Sequence, residues 1–231
     1  MITPPPILLE TTRLVFSRPS GFRLRVEPIE LAAGCSLAVR GVSGSGKSTL
    51  LSLLSGELIP SEGEVKFEGV SISSRSPAQR RAFRIQHAGL VFQEFGLIAS
   101  LSVVENVLLP FRLHDALTLD GDARDRAHTM LGAVGLHGKS SRFPTQLSHG
   151  ERQRAAIARA LVTGARLIIA DEPTGNLDPA LKHDIAALLR DVAKSANAAL
   201  IVATHDESII DQFDQALTIA LPVLSGPGDR Q

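Results

Sequence analysis

One segment early in the chain constrains it more than any other feature. Residues 41–49 read Gly-Val-Ser-Gly-Ser-Gly-Lys-Ser-Thr, between a predicted buried strand, Ser36 to Arg40, and a predicted leucine-rich helix, Thr49 to Ser55. The glycines let the backbone curl so that successive N–H groups point at one anion, and the helix aims its positive end at the same point. The segment therefore predicts a phosphate-binding loop rather than a plain flexible turn.

The polar side chains of this loop have predicted tasks. Lys47 should reach the β- and γ-phosphates of a nucleotide, and the hydroxyl of Ser48 should ligate Mg²⁺. The other positions supply backbone N–H groups and the conformational freedom that the curl needs. We assign nucleotide binding to Gly41, Ser43, Gly44, Ser45, Gly46, Lys47, Ser48 and Thr49.

Two carboxylates follow an apolar run later in the chain. Leu167 to Ala170 is typical of a buried parallel strand, and Asp171 and Glu172 come directly after it. Because ligands of open α/β sheets bind at the carboxyl ends of the strands, both side chains should emerge beside the phosphates. We predict that Asp171 holds Mg²⁺ and that Glu172 orients and deprotonates the attacking water. Without the phosphate loop, the pair would indicate only an acidic turn after a core strand.

A third motif, Leu-Ser-His-Gly-Glu at 147–151, lies between these two. Ser148 and Glu151 have the spacing of a capping box, which predicts a helix from Glu151 to Val162. The motif could therefore be only a well-capped helix start. Its functional interpretation is a second phosphate-binding helix terminus, where Gly150 lets the backbone approach and Ser148 donates to a phosphate oxygen.

Together with two strand-end motifs, this segment resembles the ABC ATPase family. LSHGERQR is similar to the family's signature, and it stands between the phosphate loop and ADEPTGNLD as it does in that family. Gln93, Gly175 to Asp178, and His205 match the family's Q-loop, D-loop and switch histidine. The phrases ADEPTGNLD and ENVLLP resemble the subgroup that powers lipoprotein release and macrolide export.

The resemblance implies roles for the matched residues. Gln93 would contact Mg²⁺ and the attacking water, and His205 would contact the γ-phosphate; taken singly, they could be a solvated loop residue and a structural histidine. Asp178 would act across the interface of a homodimer of the ATPase subunit. In that dimer two copies pack head to tail, and each phosphate loop faces the Ser148 and Gly150 of the other copy. ATP and Mg²⁺ are the implied cofactors.

An integral membrane permease subunit is the implied partner. In the family, the region after Gln93 couples the site to this partner and forms a groove for one of its helices. The apolar residues that would form this groove, unless they are plain core of a helical lobe, are Phe95, Leu97, Ile98, Leu101 and Val103.

The chain departs from the family pattern at two places. The family usually stacks adenine on an aromatic residue, often Tyr, and this chain has no Tyr. Arg18 occupies the expected place and its guanidinium plane could stack on a base, although Phe16 or Phe22 could serve unless they are core. His149 replaces the usual first glycine of the signature, and we expect its side chain to lie near the ATP of the partner copy.

Predicted strands and helices alternate along the chain, which indicates an α/β fold. The predicted segments are strands at Phe22 to Val26, Glu64 to Glu68, Leu90 to Phe92 and Leu200 to Ala203, and a helix at Pro179 to Ala193. From Glu94 to Thr145 the pattern is helical, with breaks at Pro110, Gly121, Gly135 and Gly138. We expect one P-loop NTPase domain of ABC type over 1–231: a mostly parallel core sheet with helices and an N-terminal antiparallel β patch (1–93 and 163–224), an inserted helical lobe (about 94–162) and a mobile tail (225–231).

Composition argues against several functional classes. The formal net charge is zero, which gives no indication of nucleic-acid binding. The N-terminus does not resemble a signal peptide, and no stretch approaches the ~18–20 apolar residues that span a bilayer, so a separate chain must do any spanning. The lone Cys35 suits a reducing compartment. We expect a cytoplasmic protein, held at the inner face of the cell membrane by its permease.

Two functions would use the same residues. The leading hypothesis is an ATPase that energises export or lipoprotein release by a permease. The alternative is a signalling ATPase of the cell-division type, which controls an external hydrolase through a permease-like partner without transport. Soluble ABC proteins of chromosome maintenance carry long coiled coils between the phosphate loop and the signature, whereas here Ser148 comes only 101 positions after Lys47. Those of translation carry two cassettes in one chain, whereas this chain has one.

Overall fold

The computed structural model describes residues 4–175 and 177–221. The strands in those ranges are Ile7–Thr11 (β1), Leu14–Ser17 (β2), Arg23–Val26 (β3), Glu30–Ala32 (β4), Ser36–Arg40 (β5), Val65–Phe67 (β6), Val70–Ser71 (β7), Ala88–Val91 (β8), Leu167–Asp171 (β9), Ala199–Thr204 (β10) and Gln215–Thr218 (β11). The predicted tail, 225–231, and Asn176 of the D-loop lie outside the described residues.

The α-helices are Lys47–Leu54 (α1), Pro77–His87 (α2), Val103–Val107 (α3), Leu109–Leu113 (α4), Gly121–Ala133 (α5), His149–Leu161 (α6) and Pro179–Ser195 (α7). Pro144–Gln146 and Glu207–Gln212 are 3₁₀ helices. Helix α7 is 17 residues long, and no helix within the described ranges combines the length and apolar character needed to cross a membrane.

A five-stranded parallel sheet in the order β11-β5-β10-β9-β8 forms the centre of the fold. Its strands β9 and β10 are almost wholly apolar because both faces of the sheet are covered. The register aligns Thr204 with Arg40 and Ala203 with Asp171, so the carboxyl ends of these strands meet at one edge. The predicted parallel core sheet is confirmed.

The two faces of this sheet belong to two separate apolar clusters, since successive strand residues point to opposite sides. One face contributes Ile168, Ala170, Leu200 and Val202 to a cluster that also contains buried residues of α3, α5, α6 and α7. The other face contributes Leu167, Ile169, Ala199, Ile201 and Ala203 to a cluster with α1 and the N-terminal strands. The sheet is therefore held between helices on one side and mixed helix and strands on the other.

The N-terminal strands are antiparallel, as predicted, but more extensive than the sequence pattern indicated. They form a four-stranded sheet, β4-β1-β6-β7, and a separate β2–β3 hairpin. The hairpin turn includes Gly21 in the left-handed region, at φ 86°. Strands β1, β2, β4 and β7 were not predicted, because none of them shows a clear alternation of apolar and polar residues.

The predicted helical stretch from Glu94 to Thr145 is only partly helical. Residues 94–102 form no helix, and Gly121, predicted as a break, is the first residue of α5, where the Asp120 side chain caps the helix. Pro110 lies in the first turn of α4, where a missing N–H costs nothing. Helix α6 contacts α3, α5 and strand β8. The division into core and lobe at about 94–162 stays a prediction.

Helix α2 was missed because only one of its side chains, Phe83, is buried, which leaves no apolar periodicity. Its start nevertheless carries a local signal. The Ser76 hydroxyl accepts from the Gln79 N–H, the Gln79 side chain accepts from the Ser76 N–H, and Pro77 follows the cap.

Candidate active site

The predicted phosphate loop connects the end of β5 to the start of α1 and needs glycine for two different reasons. Gly44 and Gly46 have φ values of 79° and 104°, in the left-handed region that other residues rarely adopt. Gly41 has no room for a side chain, since an added Cβ would lie 2.5 Å from the Ser45 hydroxyl and 2.9 Å from the Ile219 carbonyl. The sequence therefore fixes a tight curl at this point.

Lys47 lies under this curl, with its side chain 8% exposed. Its Nζ donates to the Gly41 carbonyl at 2.7 Å and lies 3.3 Å from Oε1 of Glu172. The ammonium group is thus held at the mouth of the loop, between backbone oxygens and a carboxylate.

The other predicted catalytic residues follow three neighbouring strands. Gln93 comes two residues after β8, Asp171 ends β9 and is followed by Glu172, and His205 comes directly after β10. Glu172 adopts φ 47°, a left-handed conformation unusual for a non-glycine residue. Its N–H donates to the Ala203 carbonyl at 2.9 Å, which continues the β9–β10 pairing and fixes the side chain at the sheet edge.

Both carboxylate oxygens of Glu172 have partners. Oε1 faces Lys47, and Oε2 lies 2.9 Å from Nδ1 of His205 and accepts from the His205 backbone N–H at 3.4 Å. The Glu172 side chain is 12% exposed, whereas that of His205 is 62% exposed. A largely buried carboxylate therefore stands between two basic groups, one buried and one open to solvent.

Asp171 offers oxygen ligands together with Ser48. Burial raises the pKa of Asp171 above its ordinary value, the neighbouring Glu172 charge raises it further, and the Ser48 hydroxyl and Lys47 oppose the rise. Carboxylate and hydroxyl oxygens suit Mg²⁺, which typically takes one or two protein ligands, phosphate oxygens and waters. The residues present therefore fit a magnesium ion, and a cation would compensate the unfavourable burial of the Asp171 charge.

These side chains surround one cavity of about 550 Å³. The predicted site residues that line it are Ser43, Gly44, Gly46, Lys47, Ser48, Thr49, Gln93, Asp171, Glu172 and His205. Gly41 and Ser45 support the loop from behind; Ser45 is fully buried. The sequence prediction thus brought together residues that are more than 150 positions apart in the chain.

Phe22, rather than Arg18, lines this cavity among the three candidates for base stacking. An added Cβ on Gly46 would lie 3.2 Å from the Phe22 ring, so the ring sits directly against the phosphate loop. Arg18 is exposed, and its guanidinium lies 5.6 Å from the Phe22 ring centre and 5.9 Å from that of Phe16.

Besides Arg18, Gly41 and Ser45, three predicted nucleotide contacts do not line the cavity of their own chain: Ser148, Gly150 and Asp178. The Ser148 hydroxyl accepts from the Glu151 N–H at 3.3 Å, and Glu151 accepts from the Ser148 N–H at 2.9 Å, which confirms the capping box. Asp178 caps α7 by accepting from the Leu181 N–H at 3.0 Å. Gly150 lets α6 approach Leu181, whose Cδ2 would lie 2.7 Å from an added Cβ.

His149 does not extend freely from the start of α6. Its ring packs against Phe95 of the same chain, with ring centres 4.7 Å apart and planes at 76°. The expectation that this side chain reaches toward the nucleotide of a partner copy does not match this orientation.

An apolar groove of about 360 Å³ lies beside the site, and its lining differs from the residues predicted to contact a permease. Its lining includes Phe92, Gly96, Leu109, Pro110 and Leu113. None of the five predicted groove residues is in that lining. Val103 is fully buried and Leu97 packs against the core cluster.

Comparison with known proteins agrees with this geometry. Residues 28–175 match the family described as ABC transporter. The chain belongs to the ABC transporter family. It is an ABC-type ATPase, with the P-loop NTPase fold predicted from the sequence.

Among its relatives, this ABC ATPase is 42% identical over 187 residues to the lipoprotein-releasing system ATP-binding protein LolD of Psychrobacter arcticus, covering 81% of this chain and 82% of that protein. It is 40% identical over 193 residues to the macrolide export ATP-binding/permease protein MacB of Rhodopirellula baltica. That match covers 82% of this chain but only 28% of the MacB protein.

A solved structure resembles the fold. The dimeric bacterial ABC transporter cassette MJ0796 superposes with a TM-score of 0.78 at 29% identity, covering 92% of this chain and 94% of that one. The same cassette is also known in a post-hydrolysis state bound to ADP and Pi, with a TM-score of 0.77 at 28% identity. The ABC ATPase described here is therefore a subunit of the LolD and MacB type.

Sequence reasoning missed Arg159, which reaches the segment after Gln93. Only 8% of this residue is exposed, and its guanidinium donates to the carbonyls of Phe95 and Gly96. Arg159 lies seven positions after Arg152, on the same face of α6. The sequence signal that could have identified Arg159 was the repetition of a basic side chain on the otherwise apolar face of this helix.

Proposed function

We propose that this chain binds Mg·ATP in the cavity at the edge of the parallel sheet and hydrolyses it to drive a partner permease. One observation carries the proposal: Lys47, Asp171, Glu172 and His205 converge on one cavity from the ends of three adjacent parallel strands, β5, β10 and β9. A cavity lined by a phosphate loop, a carboxylate that can act as base, and two basic groups suits in-line attack of water on a phosphoryl group.

The phosphate loop would hold the β- and γ-phosphates through its backbone N–H groups and Lys47 Nζ. The positive end of α1 would add to this attraction, because its first N–H groups have no partners within the helix. Ser48 and Asp171 would hold Mg²⁺, which, when bound, neutralises charge that develops on the phosphate oxygens. Gln93, which also lines the cavity, would complete this set through its side-chain amide.

Glu172 is the proposed base that orients and deprotonates the attacking water. A positioned base contributes about 10²- to 10⁴-fold to a rate. His205 would contact the γ-phosphate, which its exposure of 62% permits. Gly175 lies close to both Gln93 and Glu172, since an added Cβ would be 3.5 Å from Nε2 of Gln93 and 3.8 Å from Cβ of Glu172. The strand ends thus gather water-handling groups on one side of the phosphates.

For the base of the nucleotide, we assign the stacking surface to Phe22, with Arg18 behind it. The support is the position of the Phe22 ring in the cavity wall, against Gly46. Arg18, at 5.6 Å from that ring, adds a cation–π contact on its far side.

The proposal includes a head-to-tail homodimer. Ser148, Gly150 and Asp178 are absent from the cavity lining of their own chain, so they would act on the nucleotide of a second copy. The Ser148 hydroxyl uses a lone pair as helix cap and keeps its proton free to donate to a phosphate oxygen. The dimeric structure of the MJ0796 cassette supports such an assembly.

The membrane partner would dock in the apolar groove beside the site. Phe92 and Leu113 are 51% and 68% exposed there, which is unusual for large apolar side chains next to one another. Phe92 immediately precedes Gln93, so the groove is one residue away from the site. By analogy with the LolD and MacB relatives, the partner would be a permease of the lipoprotein-release or export type, with this chain at the cytoplasmic face of its membrane.

The test is the substitution Glu172→Gln, which keeps the shape of the side chain and removes the base. We expect ATP turnover to fall by at least about 10²-fold, ATP binding to persist, and an ATP-dependent dimer to accumulate. Turnover by phosphate release, nucleotide retention and mass by light scattering measure these three quantities. A variant that hydrolyses ATP normally, or one that neither retains ATP nor dimerises with or without its permease, would contradict the proposal.

A further inference from the structure

Helix α6 holds the segment that follows Gln93 with side chains from both of its ends. At the N-terminal end, the His149 ring meets the Phe95 ring edge to face at 4.7 Å, and the Arg152 guanidinium lies 5.8 Å from the centre of the same ring. At the C-terminal end, Arg159 donates to the carbonyls of Phe95 and Gly96. Helix α6 therefore contacts both the ring and the backbone of Phe95.

The backbone conformation of Phe95 depends on these contacts with α6. Its φ is 58°, in the left-handed region where a bulky residue is an outlier. Such a conformation persists only where the surrounding structure imposes it, and it is found preferentially at functional sites. The two donors of Arg159 and the packing of His149 supply that restraint.

The His149 ring is held by packing rather than by a polar contact at its inner nitrogen. Nδ1 is buried and has no hydrogen-bond partner among the described residues. Burying an unsatisfied nitrogen is unfavourable, so the stabilisation must come from the aromatic contact with Phe95. The ring therefore ties the residue directly after Ser148 to a residue two positions after Gln93.

We propose that His149 is a positioning residue for Gln93, acting through Phe95 of its own subunit. This inference rests on the proposed function. Ser148 would contact the nucleotide of the partner copy, whereas Gln93 would contact the nucleotide of its own copy. Because α6 is a continuous helix, a displacement of its first turn by the partner's phosphate moves His149 and Phe95 together. The contact thus links the two nucleotide sites of the dimer.

The experiment compares His149→Gly, His149→Phe, Phe95→Ala and the double variant His149→Gly/Phe95→Ala. We expect His149→Gly to lower kcat on the order of two- to tenfold, the worth of one aromatic pair. ATP affinity of the isolated subunit should stay unchanged, since the phosphate loop is untouched. His149→Phe keeps an edge-to-face contact and should restore kcat, and the double variant should be no worse than the poorer single variant.

Hydrogen exchange of the backbone amides at 93–97, measured without nucleotide, provides a second readout. We expect faster exchange in His149→Gly than in the natural protein, and protection restored by His149→Phe. Additive losses in the double variant, failure of His149→Phe to restore kcat, or unchanged exchange would each overturn the proposal. The exchange measurement also separates the two claims, because it tests the contact even if the protein proves unable to hydrolyse ATP.

Discussion

At the scale of single residues, the main feature of the candidate active site is the pairing of its charged side chains with one another. Lys47 and Glu172 are both largely buried and lie 3.3 Å apart. Removing either partner alone would leave the other charge in a poorly solvated place, which is costly. A second pair, Lys182 and Asp206 at 2.7 Å, joins helix α7 to the residue after His205.

The Lys182–Asp206 pair should make stability depend on pH in a defined window. The hydrogen bond from Lys182, aided by Ser208, lowers the pKa of Asp206 to about 2. Its stabilisation is therefore fully present above the ordinary pKa of an Asp, near 4, and is lost as pH falls toward 2. We expect Lys182→Met to reduce the free energy of unfolding by about 1 kcal/mol near neutral pH.

That deficit should shrink as pH is lowered from about 5 to about 3, which urea unfolding at each pH would measure. The exposed Lys194, on the same helix, gives the matched control, since Lys194→Met should change stability little at any pH. An equal deficit for Lys182→Met at both ends of the window would show that the ion pair is not its cause.

At the scale of elements, prediction succeeded where a motif and a strand end coincide. Strands β5, β8, β9 and β10 are continuous apolar runs, and their following residues were placed correctly because parallel strands end at one edge. Elements with few buried residues were not found, as α2 shows. The segment 94–102, predicted as helical, is instead a succession of turns, because the Asn106 side chain accepts from the Ile98 N–H and donates to the carbonyls of Ile98, Leu101 and Ser102.

The prediction of the residue that stacks on the base was limited in a similar way, here by contacts within a single hairpin. The sequence analysis put Arg18 at the expected place and gave Phe16 and Phe22 as alternatives, but a hairpin turn decides which side chain faces the phosphate loop. Contacts made across a turn cannot be read from spacing alone. In the structure, β2 and β3 pair Phe16 with Leu24, and Phe22, just before β3, has its ring against Gly46.

The packing of α6 on β8 depends on Gly89. An added Cβ there would clash with the carbonyl oxygen of Ala160, and neither the strand backbone nor the helix backbone can yield locally. We expect Gly89→Ala to destabilise the protein by about 1–3 kcal/mol. Thermal unfolding would detect this as a fall in Tm of about 2–4 °C per kcal/mol.

Gly121→Ala is the matched substitution, because nothing lies within 4 Å of the added Cβ. It should be neutral or stabilise by up to about 1 kcal/mol. If both glycine substitutions shifted Tm alike, close approach of β8 and α6 would not be what selects glycine at 89.

At the scale of the whole molecule, the chain contains all the parts of a nucleotide site but does not assemble them in one cavity. The phosphate loop and the strand ends face one opening, whereas the start of α6 lies elsewhere. In the proposed two-fold dimer, a single copy would supply half of each of two sites. The resemblance to the ABC family implied this arrangement, and the fold is consistent with it.

Ser148→Ala should separate this role from simple helix capping. Ser76 offers the comparison, since it caps α2 with an equivalent box and lies outside the cavity lining. Each alanine substitution should cost about 1 kcal/mol of stability by loss of the cap. Only Ser148→Ala should also reduce ATP turnover, by roughly tenfold or more, the worth of a hydrogen bond to a charged phosphate.

Turnover per subunit and the ATP-dependent increase in mass would be measured for both variants in parallel. Loss of turnover in Ser76→Ala to the same extent would assign the effect to folding, and full turnover in Ser148→Ala would remove the start of α6 from the nucleotide site.

The pairing of both Glu172 oxygens has a consequence for energy conservation in the cell. With Lys47 on one oxygen and His205 on the other, a water that approaches Glu172 must share the carboxylate with two basic groups. If a triphosphate binds as proposed, it would attract both basic groups and leave the carboxylate available to the water. If Glu172 is that base, nucleotide binding itself would free it for catalysis, and no separate inhibitor would be needed to keep a nucleotide-free subunit inactive.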